Sequence, residues 1–395
     1  MNKLRVLICG AGIAGPSVAH GCLRHGLEPT LIERAPVFRA GGYMIDVWGV
    51  GFDMLERYGL LEAARARGYL FDRLRFVNAH GRERSAVGGE LFRRALGGRF
   101  FSIPRGDLAQ VVYQTIENRA EVLYGTSLQA LRQYPGGVEV ELSAGQSRQF
   151  DVVIGADGLH SRVRELAFGP QAGFERSLGY LAASFIACDY PHRDEGVYVS
   201  FARPGRQVSR YAMRGGRSAF LFVWAEAGTA ALRAHDSQAQ KELLRARFAD
   251  DGWEVPEILE RLEAADELYF DTVSQIRMPR WTAGRIALVG DAAYSPSLLA
   301  GAGAAFAMLG AYLLMWELQQ ANGDLTRAFC AYERRLRPYM ARQQQAAARF
   351  AGSFAPKTAL GLGVRDAALG LMRLPLLGTL LARSMFGNSF PLPCG

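Results

Sequence analysis

The chain has 395 residues, of which 49% are hydrophobic and 21% charged, so the composition excludes a disordered protein. Its formal net charge is +8, but the basic residues are scattered arginines without a dense block, which disfavours nucleic-acid binding. Five cysteines without a CxxC pair indicate a reducing cytoplasm, six histidines show no metal-binding spacing, and no apolar run is long enough to span a bilayer.

The N-terminal residues predict a strand–helix–strand unit. An apolar strand over 4–9 precedes a helix over 13–25, and a second strand over 29–32 ends at Glu33. The later predicted elements are helices at 50–67 and 105–117, strands at 121–124, 138–142, 152–154, 197–201, 208–213, 219–224 and 285–289, and helices at 229–249, 301–318 and after Asp324, with Pro338 as a kink. The aromatic strands between 173 and 278 suggest a separate layer that covers a substrate.

The first motif is the glycine-rich run Gly10-Ala11-Gly12-Ile13-Ala14-Gly15, between the first strand and the first helix. Its glycines permit a tight turn and let a pyrophosphate approach the backbone, where the helix N-terminus supplies free N–H groups. Glu33, 21 residues after Gly12, ends the second strand, where a carboxylate accepts hydrogen bonds from ribose hydroxyls. This context predicts dinucleotide binding, without separating FAD from NAD.

A second motif follows the strand at 152–154 and includes Asp157, Gly158, Ser161 and Arg164. A carboxylate, a hydroxyl and a guanidinium on one loop suit polar contacts to a phosphate-bearing ligand. Asp157 alone is equally well explained as a helix cap.

A third motif comprises Gly290 and Asp291, followed by the turn Gly301-Ala302-Gly303. The Asp291 carboxylate can accept from a ribityl or ribose hydroxyl. The amides of the turn open a helix, and beside a flavin they would stabilise negative charge on reduction. An ordinary strand–turn–helix with Asp291 at a cap is the alternative.

These three motifs, in this order and spacing, resemble the class A flavoprotein monooxygenases with the p-hydroxybenzoate hydroxylase fold, and among them the tetracycline-destructase-like and polyketide-hydroxylase branch. The resemblance covers nearly the whole chain. It implies a role in FAD or NAD(P)H binding for the three glycines of the first motif, Glu33, Arg34, Arg105, Asp157, Gly158, Ser161, Arg164, Gly290 and Asp291.

The chain departs from the family pattern at two positions. Tyr294 stands where the family often has histidine, and Leu298 stands where a proline is expected beside the flavin, although Pro296 is present. We expect both changes to affect flavin movement or oxygen chemistry more than FAD binding.

The resemblance implies an α/β fold with a Rossmann-like FAD-binding domain of the glutathione-reductase type, a β-sheet substrate domain and C-terminal helices. The expected boundaries are 1–172 with 279–322 for FAD, 173–278 for substrate and 323–395 for the helical region. It also implies that NADPH or NADH reduces FAD, and that a flavin hydroperoxide transfers one oxygen atom to an aromatic or polyketide-like molecule in a cytoplasmic monomer or homodimer.

The substrate side carries no motif. Phe222 and Trp224 share one face of a strand, and they either line an apolar pocket with Tyr211 or belong to the core of the sheet. Arg210 either meets a polar substrate group or is a solvated surface arginine. Asp46, which follows the turn at 41–42, is the candidate for a polar, catalytic group near the isoalloxazine.

Three other functions compete with the monooxygenase. A flavin-dependent dehydrogenase or reductase would keep the fold without inserting oxygen, and a non-catalytic protein would sequester flavin or an unstable ligand. An NAD-only dehydrogenase would leave the second and third motifs unexplained. A flavin-dependent halogenase is disfavoured because its paired-tryptophan motif is missing.

Overall fold

The fold is seen in a computed structural model that describes residues 3–38, 41–143, 145–191, 194–226, 236–265, 267–372, 374, 378–380, 382–383 and 389–393. The strands are β1 Arg5–Cys9, β2 Glu28–Glu33, β3 Met44–Trp48, β4 Arg73–Val77, β5 Glu83–Gly88, β6 Phe100–Pro104, β7 Glu121–Tyr124, β8 Leu128–Tyr134, β9 Gly137–Leu142, β10 Ser147–Phe150, β11 Val152–Gly155, β12 Glu175–Cys188, β13 Val197–Arg203, β14 Arg206–Ala212, β15 Arg217–Ala225, β16 Tyr269–Ile276, β17 Thr282–Ala283 and β18 Ile286–Leu288. The helices are α1 Ala14–Arg24, α2 Val50–Tyr58, α3 Leu61–Arg67, α4 Gly89–Ala95, α5 Arg105–Tyr113, α6 Arg162–Phe168, α7 Ser237–Phe248, α8 Val255–Arg261, α9 Asp291–Tyr294, α10 Gly303–Gln320, α11 Leu325–Phe354 and α12 Ala359–Leu371.

A six-stranded sheet in the order β17-β18-β11-β1-β2-β7 forms the first layer, and its strands are parallel except β17. Its central strand β1 is buried from Val6 to Cys9, as expected of a parallel strand covered on both faces. Helix α1 packs against α10, with Gly21 lying directly under Met315. The predicted strand–helix–strand unit is confirmed.

A seven-stranded sheet in the order β16-β12-β15-β14-β13-β4-β5 forms the second layer. Its strands β4 and β5 come from residues 73–88, well before the predicted start of the substrate domain at 173, and β4 pairs in parallel with β13. The predicted boundary at 173 therefore does not separate the two sheets, because the N-terminal part of the chain contributes two strands to the second sheet.

The two faces of this second sheet have different neighbours. We call outer the face covered by α7 and α8, where Phe222 and Phe248 meet with ring centroids 5.0 Å apart. We call inner the opposite face, where Tyr211 packs against Tyr69 and Met213. The predicted helix at 229–249 is observed from Ser237 to Phe248, and residues 227–235 lie outside the described residues.

The long helix α11 connects the two layers. Asp324 caps it as predicted, accepting from the Arg327 amide at 3.0 Å, and Pro338 lies within it. The Gln344 side chain donates to the carbonyls of Ile276 and Ser295, so α11 is bonded both to the end of β16 and to the loop after α9. None of the described helices is both long and apolar enough to cross a bilayer.

Candidate cofactor and substrate site

A cleft that is partly open to solvent runs along the carboxyl ends of β1 and β2 and continues toward the second sheet. This is where open parallel sheets bind their ligands. Of the residues predicted from the three motifs and the resemblance, the following line it: Gly10, Gly12, Ile13, Ala14, Glu33, Arg34, Arg105, Asp157, Gly158, Asp291, Gly301 and Gly303.

The first glycine motif forms a turn without space for side chains. Gly10 has φ +104°, and a Cβ there would lie 2.5 Å from the Ala156 carbonyl oxygen. Gly15 does not line the cleft, but a Cβ on it would lie 1.8 Å from the Gly10 carbonyl oxygen, so it lets α1 start against the turn. No side chain caps the N-terminus of α1. Its amides are therefore available to an anionic group in the cleft.

The Glu33 carboxylate lies at the end of β2 and orders the same turn. Its two oxygens accept hydrogen bonds from the amides of Ala11 and Ala35, both at 2.9 Å. Each carboxylate oxygen can accept more than one hydrogen bond, so Glu33 keeps capacity for ligand hydroxyls. The neighbouring Arg34 is exposed at the cleft edge.

The other part of the cleft combines Arg105, Asp291 and the start of α10. Burial raises the pKa of Asp291, and the nearby Arg105 guanidinium opposes that rise. A Cβ on Gly303 would lie 3.7 Å from Asp291 Oδ1, and no side chain caps α10. This arrangement offers a carboxylate acceptor next to free helix amides. Gly290 and Ala302 flank it as the residues that precede α9 and α10 and do not line the cleft.

The second motif divides its residues between the cleft and the interior. Asp157 accepts from Ser161 Oγ at 2.5 Å and from the amides of Arg162 and Val163, so it also caps α6. Ser161 and Arg164 do not line the cleft. The buried Arg164 guanidinium donates to the carbonyls of Leu159 and Ala292, which fixes the loop to α9 instead of facing a ligand.

Several residues of the cleft escaped the sequence analysis. The stretch after β7 includes Thr126, Ser127 and Leu128. Its position after a parallel strand next to β2 is the feature that could have predicted these residues at the cleft. His160, inside the second motif, lies 3.0 Å from Asp271 of β16, which raises the pKa of its imidazole. The remaining unpredicted lining residues are Cys9, Ile32, Tyr43, Ile45, Ala156, Arg162, Ser297, Ala304 and Ala307, whereas Leu298 was expected beside the flavin.

The two departures from the family pattern lie in different surroundings. Leu298 lines the cleft beside Ser297, whose φ of +113° is rarely adopted by a residue with a side chain. Tyr294 is buried outside the cleft, against Trp281 at a ring distance of 4.7 Å. Its hydroxyl lies where a Cβ of Gly310 would be, so Tyr294 fills the core between α9 and α10.

Three of the four predicted substrate residues lie on the outer face of the second sheet. Phe222 and Trp224 pack with Phe248 of α7 in a closed core. Arg210 is only 1% exposed, and its Nε lies 2.9 Å from a Glu254 carboxylate oxygen. Arg210 is thus neither a solvated arginine nor a group facing the cleft, because strand alternation turns it and the two aromatic side chains away from the cofactor.

Tyr211 and Asp46 lie on the opposite side, between the cleft and the inner face. Tyr43 and Ile45 of the same segment line the cleft, so the alternate residue Asp46 points toward the sheet. Its Oδ1 accepts from Ser102 Oγ at 2.5 Å and Tyr198 at 3.4 Å. Burial raises the pKa of Asp46 from 3.8 to about 6, while both hydrogen bonds lower it.

The cleft fits FAD in the kind and order of its groups. It has two uncapped helix N-termini for a pyrophosphate and a pyrimidine ring, a carboxylate at the end of β2 for the ribose, and Asp291 for the ribityl chain. When bound, FAD would supply hydride acceptance from NAD(P)H and electron transfer to oxygen, and the chain would position the substrate and exclude water.

Comparison with known proteins agrees with this geometry. Residues 3–347 match the family model described as an FAD binding domain. The chain is 33% identical to a flavin-dependent monooxygenase of Legionella longbeachae over 347 residues, 87% of this chain and 88% of the relative. An uncharacterized protein of Mycobacterium tuberculosis, Rv1260, is 36% identical over 350 residues, 86% of this chain and 91% of the relative.

Among solved structures, the tetracycline destructase Tet(51) superposes with a TM-score of 0.85 at 28% identity, covering 100% of both chains. The prediction of a class A monooxygenase and of FAD as its cofactor is confirmed, and the NAD-only and non-catalytic alternatives are set aside. The order of the motifs, the cleft that they form and these matches together place the chain in the FAD-binding-domain family of flavin-dependent monooxygenases.

Proposed function

We propose that the chain hydroxylates an aromatic, polyketide-like small molecule that binds between the cofactor cleft and the inner face of the second sheet. The observation that carries this proposal is the composition of that face. Tyr69, Tyr198, Tyr211 and Met213 form an aromatic and apolar cluster there, with Met44 packed against it from the cofactor side. Flat rings stack well on such surfaces, and apolar walls keep water from the reacting atoms.

The relatives favour the same chemistry. A tetracycline destructase acts, by its name, on a fused-ring polyketide, and its fold superposes on the whole of this chain. The inner face here has the aromatic character that a ligand of several fused rings favours. The outer face is closed by α7 and α8, which leaves the inner face as the surface available to substrate.

We also propose residue roles at the cofactor. The amides of α1 hold the FAD pyrophosphate, Glu33 holds the ribose, and Asp291 with the α10 amides holds the ribityl chain and pyrimidine end. NADPH or NADH binds transiently. A cytoplasmic location agrees with the free cysteines Cys9, Cys22, Cys188 and Cys330.

The test measures NADPH oxidation, oxygen uptake and product mass with the FAD-loaded enzyme and a panel of tetracycline, hydroxyanthraquinones and naphthols. We expect NADPH and oxygen consumption to depend on the compound, and a product that has gained one oxygen atom. A product without added oxygen would indicate the dehydrogenase instead. Activity confined to aliphatic compounds would contradict the proposed substrate class.

A variant locates the binding surface. Ile186 lies on β12, and its partly buried side chain packs against the inner-face cluster. We expect Ile186→Trp to fill this space and lower kcat/KM at least about tenfold, a loss of roughly 1.4 kcal/mol in transition-state stabilisation, with FAD content unchanged. Leu360→Trp, at a position 79% exposed on α12, is the matched control. Equal activity of both variants would place the substrate elsewhere.

A further inference from the structure

Only one of the two oxygens of the Asp46 carboxylate accepts hydrogen bonds from the described residues. Its Oδ1 accepts both the Ser102 and the Tyr198 hydroxyls, at 2.5 and 3.4 Å. Oδ2 accepts no hydrogen bond from the described residues, and because Asp46 is only partly buried and Oδ2 is not among the enclosed unpaired atoms, this oxygen is accessible to a ligand. A partly buried carboxylate oxygen without a partner is stabilised when a ligand donates a hydrogen bond to it.

In the part of the chain that the structure describes, no positively charged side chain is seen to compensate the Asp46 carboxylate. The side chains that face it from the neighbouring elements are Ser102 of β6, Tyr198 of β13 and Tyr211 of β14, and no arginine or lysine is among the groups that shift its pKa. The structure therefore does not use Asp46 in an ion pair. Burial without a counter-charge makes a hydrogen-bond donor from a ligand especially favourable.

A second polar group nearby is also unsatisfied. The Tyr211 side chain is 2% exposed, and its hydroxyl has no hydrogen-bond partner among the described residues. Its ring lies 4.4 Å from that of Tyr198, which itself bonds Asp46. Asp46 Oδ2 and the Tyr211 hydroxyl thus both lack a hydrogen-bond partner among the described residues and lie at the same aromatic surface. Buried hydroxyls and carboxylates are nearly always paired in folded proteins.

We propose that Asp46 and Tyr211 form a substrate anchor that recognises oxygen substituents on an aromatic ring: a ring hydroxyl donates to Asp46 Oδ2, and a second oxygen bonds the Tyr211 hydroxyl. Ser102 and Tyr198 are positioning residues, because they hold Oδ1 and leave Oδ2 to the ligand. This inference rests on the proposed function and narrows it to hydroxylated rings. The anchor binds the substrate from the side opposite the cofactor cleft, and so it sets which ring edge faces the cofactor.

The experiment compares two probes, 2-hydroxyanthraquinone and 2-methoxyanthraquinone, bound to oxidised FAD-loaded enzyme without NADPH. Dissociation constants come from changes in flavin absorbance or fluorescence. We expect the wild type to bind the hydroxyl compound about tenfold or more tightly than the methyl ether, since a hydrogen bond to a charged group is lost. Asp46→Ala should bring this ratio close to one, and Asp46→Asn, which retains an acceptor oxygen, should keep part of it.

Two further variants guard against a folding defect. Tyr211→Phe removes one hydroxyl and should weaken both probes alike, because each carries the quinone oxygens. Tyr190→Phe is the matched control, since its hydroxyl bonds Glu254 on the outer face, and it should leave both constants unchanged. The FAD content of every variant is measured in the same preparation.

The outcomes separate the anchor from the proposed function. Equal binding of the two probes by the wild type, no binding of either, or an unchanged ratio in Asp46→Ala would overturn the anchor. A preference that depends on Asp46 but yields no oxygenated product on adding NADPH and oxygen would support the anchor and count against the proposed function.

Discussion

The cofactor cleft presents mainly backbone groups to a ligand, whereas the inner face of the second sheet presents side chains. The cleft is built from backbone: glycines without room for Cβ atoms, uncapped helix amides and two or three carboxylates at strand ends. The inner face of the sheet is built from side chains on alternate positions of β12 to β15. Backbone recognition requires particular residues at particular spacings, whereas a side-chain surface is met by many combinations.

This difference predicts that substitutions in the two regions affect ligand binding and stability differently. In the cleft, one added side chain obstructs the ligand directly. In the sheet, the outer face is a closed core, and we propose that the inner face binds substrate, so substitutions on the two faces should have separable effects. Three predictions test how sharp the separation is.

The largest effect is expected in the cleft. A Cβ at Gly12 would point into the cleft, 3.7 Å from the Arg105 guanidinium, so Gly12→Val should lower FAD affinity by at least about tenfold, or roughly 1.4 kcal/mol. Flavin absorbance per chain after purification measures it. Gly352→Val, at a site in α11 with no atom near its Cβ position, is the control. Full flavin content in Gly12→Val would remove the cleft assignment.

The next effect concerns the two faces of the second sheet. Phe222→Ala would empty a fully buried outer-face site beside Phe248 and should lower the free energy of unfolding by about 3–5 kcal/mol. Ile186→Ala, on the inner face and only partly buried, should cost about 1–2 kcal/mol and change substrate affinity more. Chemical denaturation and KM measure the two quantities. A large KM change in the remaining folded Phe222→Ala enzyme would show that the faces are not independent.

The smallest effect is the dependence of stability on pH through Asp46. Its pKa is about 6 in the folded chain against 3.8 ordinarily, so the folded state binds more protons between these values and loses stability as pH rises through them. Asp46→Asn should therefore gain stability relative to wild type between pH 4 and 7, by at most about 3 kcal/mol and less where water reaches Oδ2.

Denaturation of both proteins across this pH range measures the gain, with Asp53→Asn, at a partly buried aspartate paired with Arg99, as the control. A constant difference between wild type and Asp46→Asn would show that the carboxyl is well solvated. If Asp46→Asn were more stable than wild type only at acidic pH, the predicted pH dependence would be reversed. That result would require a positive charge near Asp46.

The sequence predicted the cleft well because its signals are local. Gly10, Glu33 and Asp291 each stand at the end of a strand, a position that a short run of residues reveals. Pairing of β4 with β13 was missed because it joins segments more than a hundred residues apart, which no local pattern encodes. Thr126 to Leu128 were missed for a related reason, since their place beside the cleft depends on β7 lying next to β2.

The sequence predicted the second sheet less well than the cleft. The alternation of Phe222 and Trp224 correctly indicated a shared face, but alternation alone does not say which face meets the cofactor. Arg210 was expected either at solvent or at substrate, and it is paired with Glu254 inside the outer core. Only the position of α7 and α8 decides this, because these helices cover the face that carries Phe222, Trp224 and Arg210.

The contact between Tyr294 and Gly310 also limits how this chain and its relatives can diverge. A Cβ at 310 would lie 1.7 Å from the Tyr294 hydroxyl, so the tyrosine is compatible with glycine there and with no larger residue unless the surroundings move. Positions 294 and 310 should consequently covary: a relative that has histidine at the first position is free to carry alanine at the second. With the present packing, a larger residue at 310 is therefore accommodated only together with a smaller residue at 294.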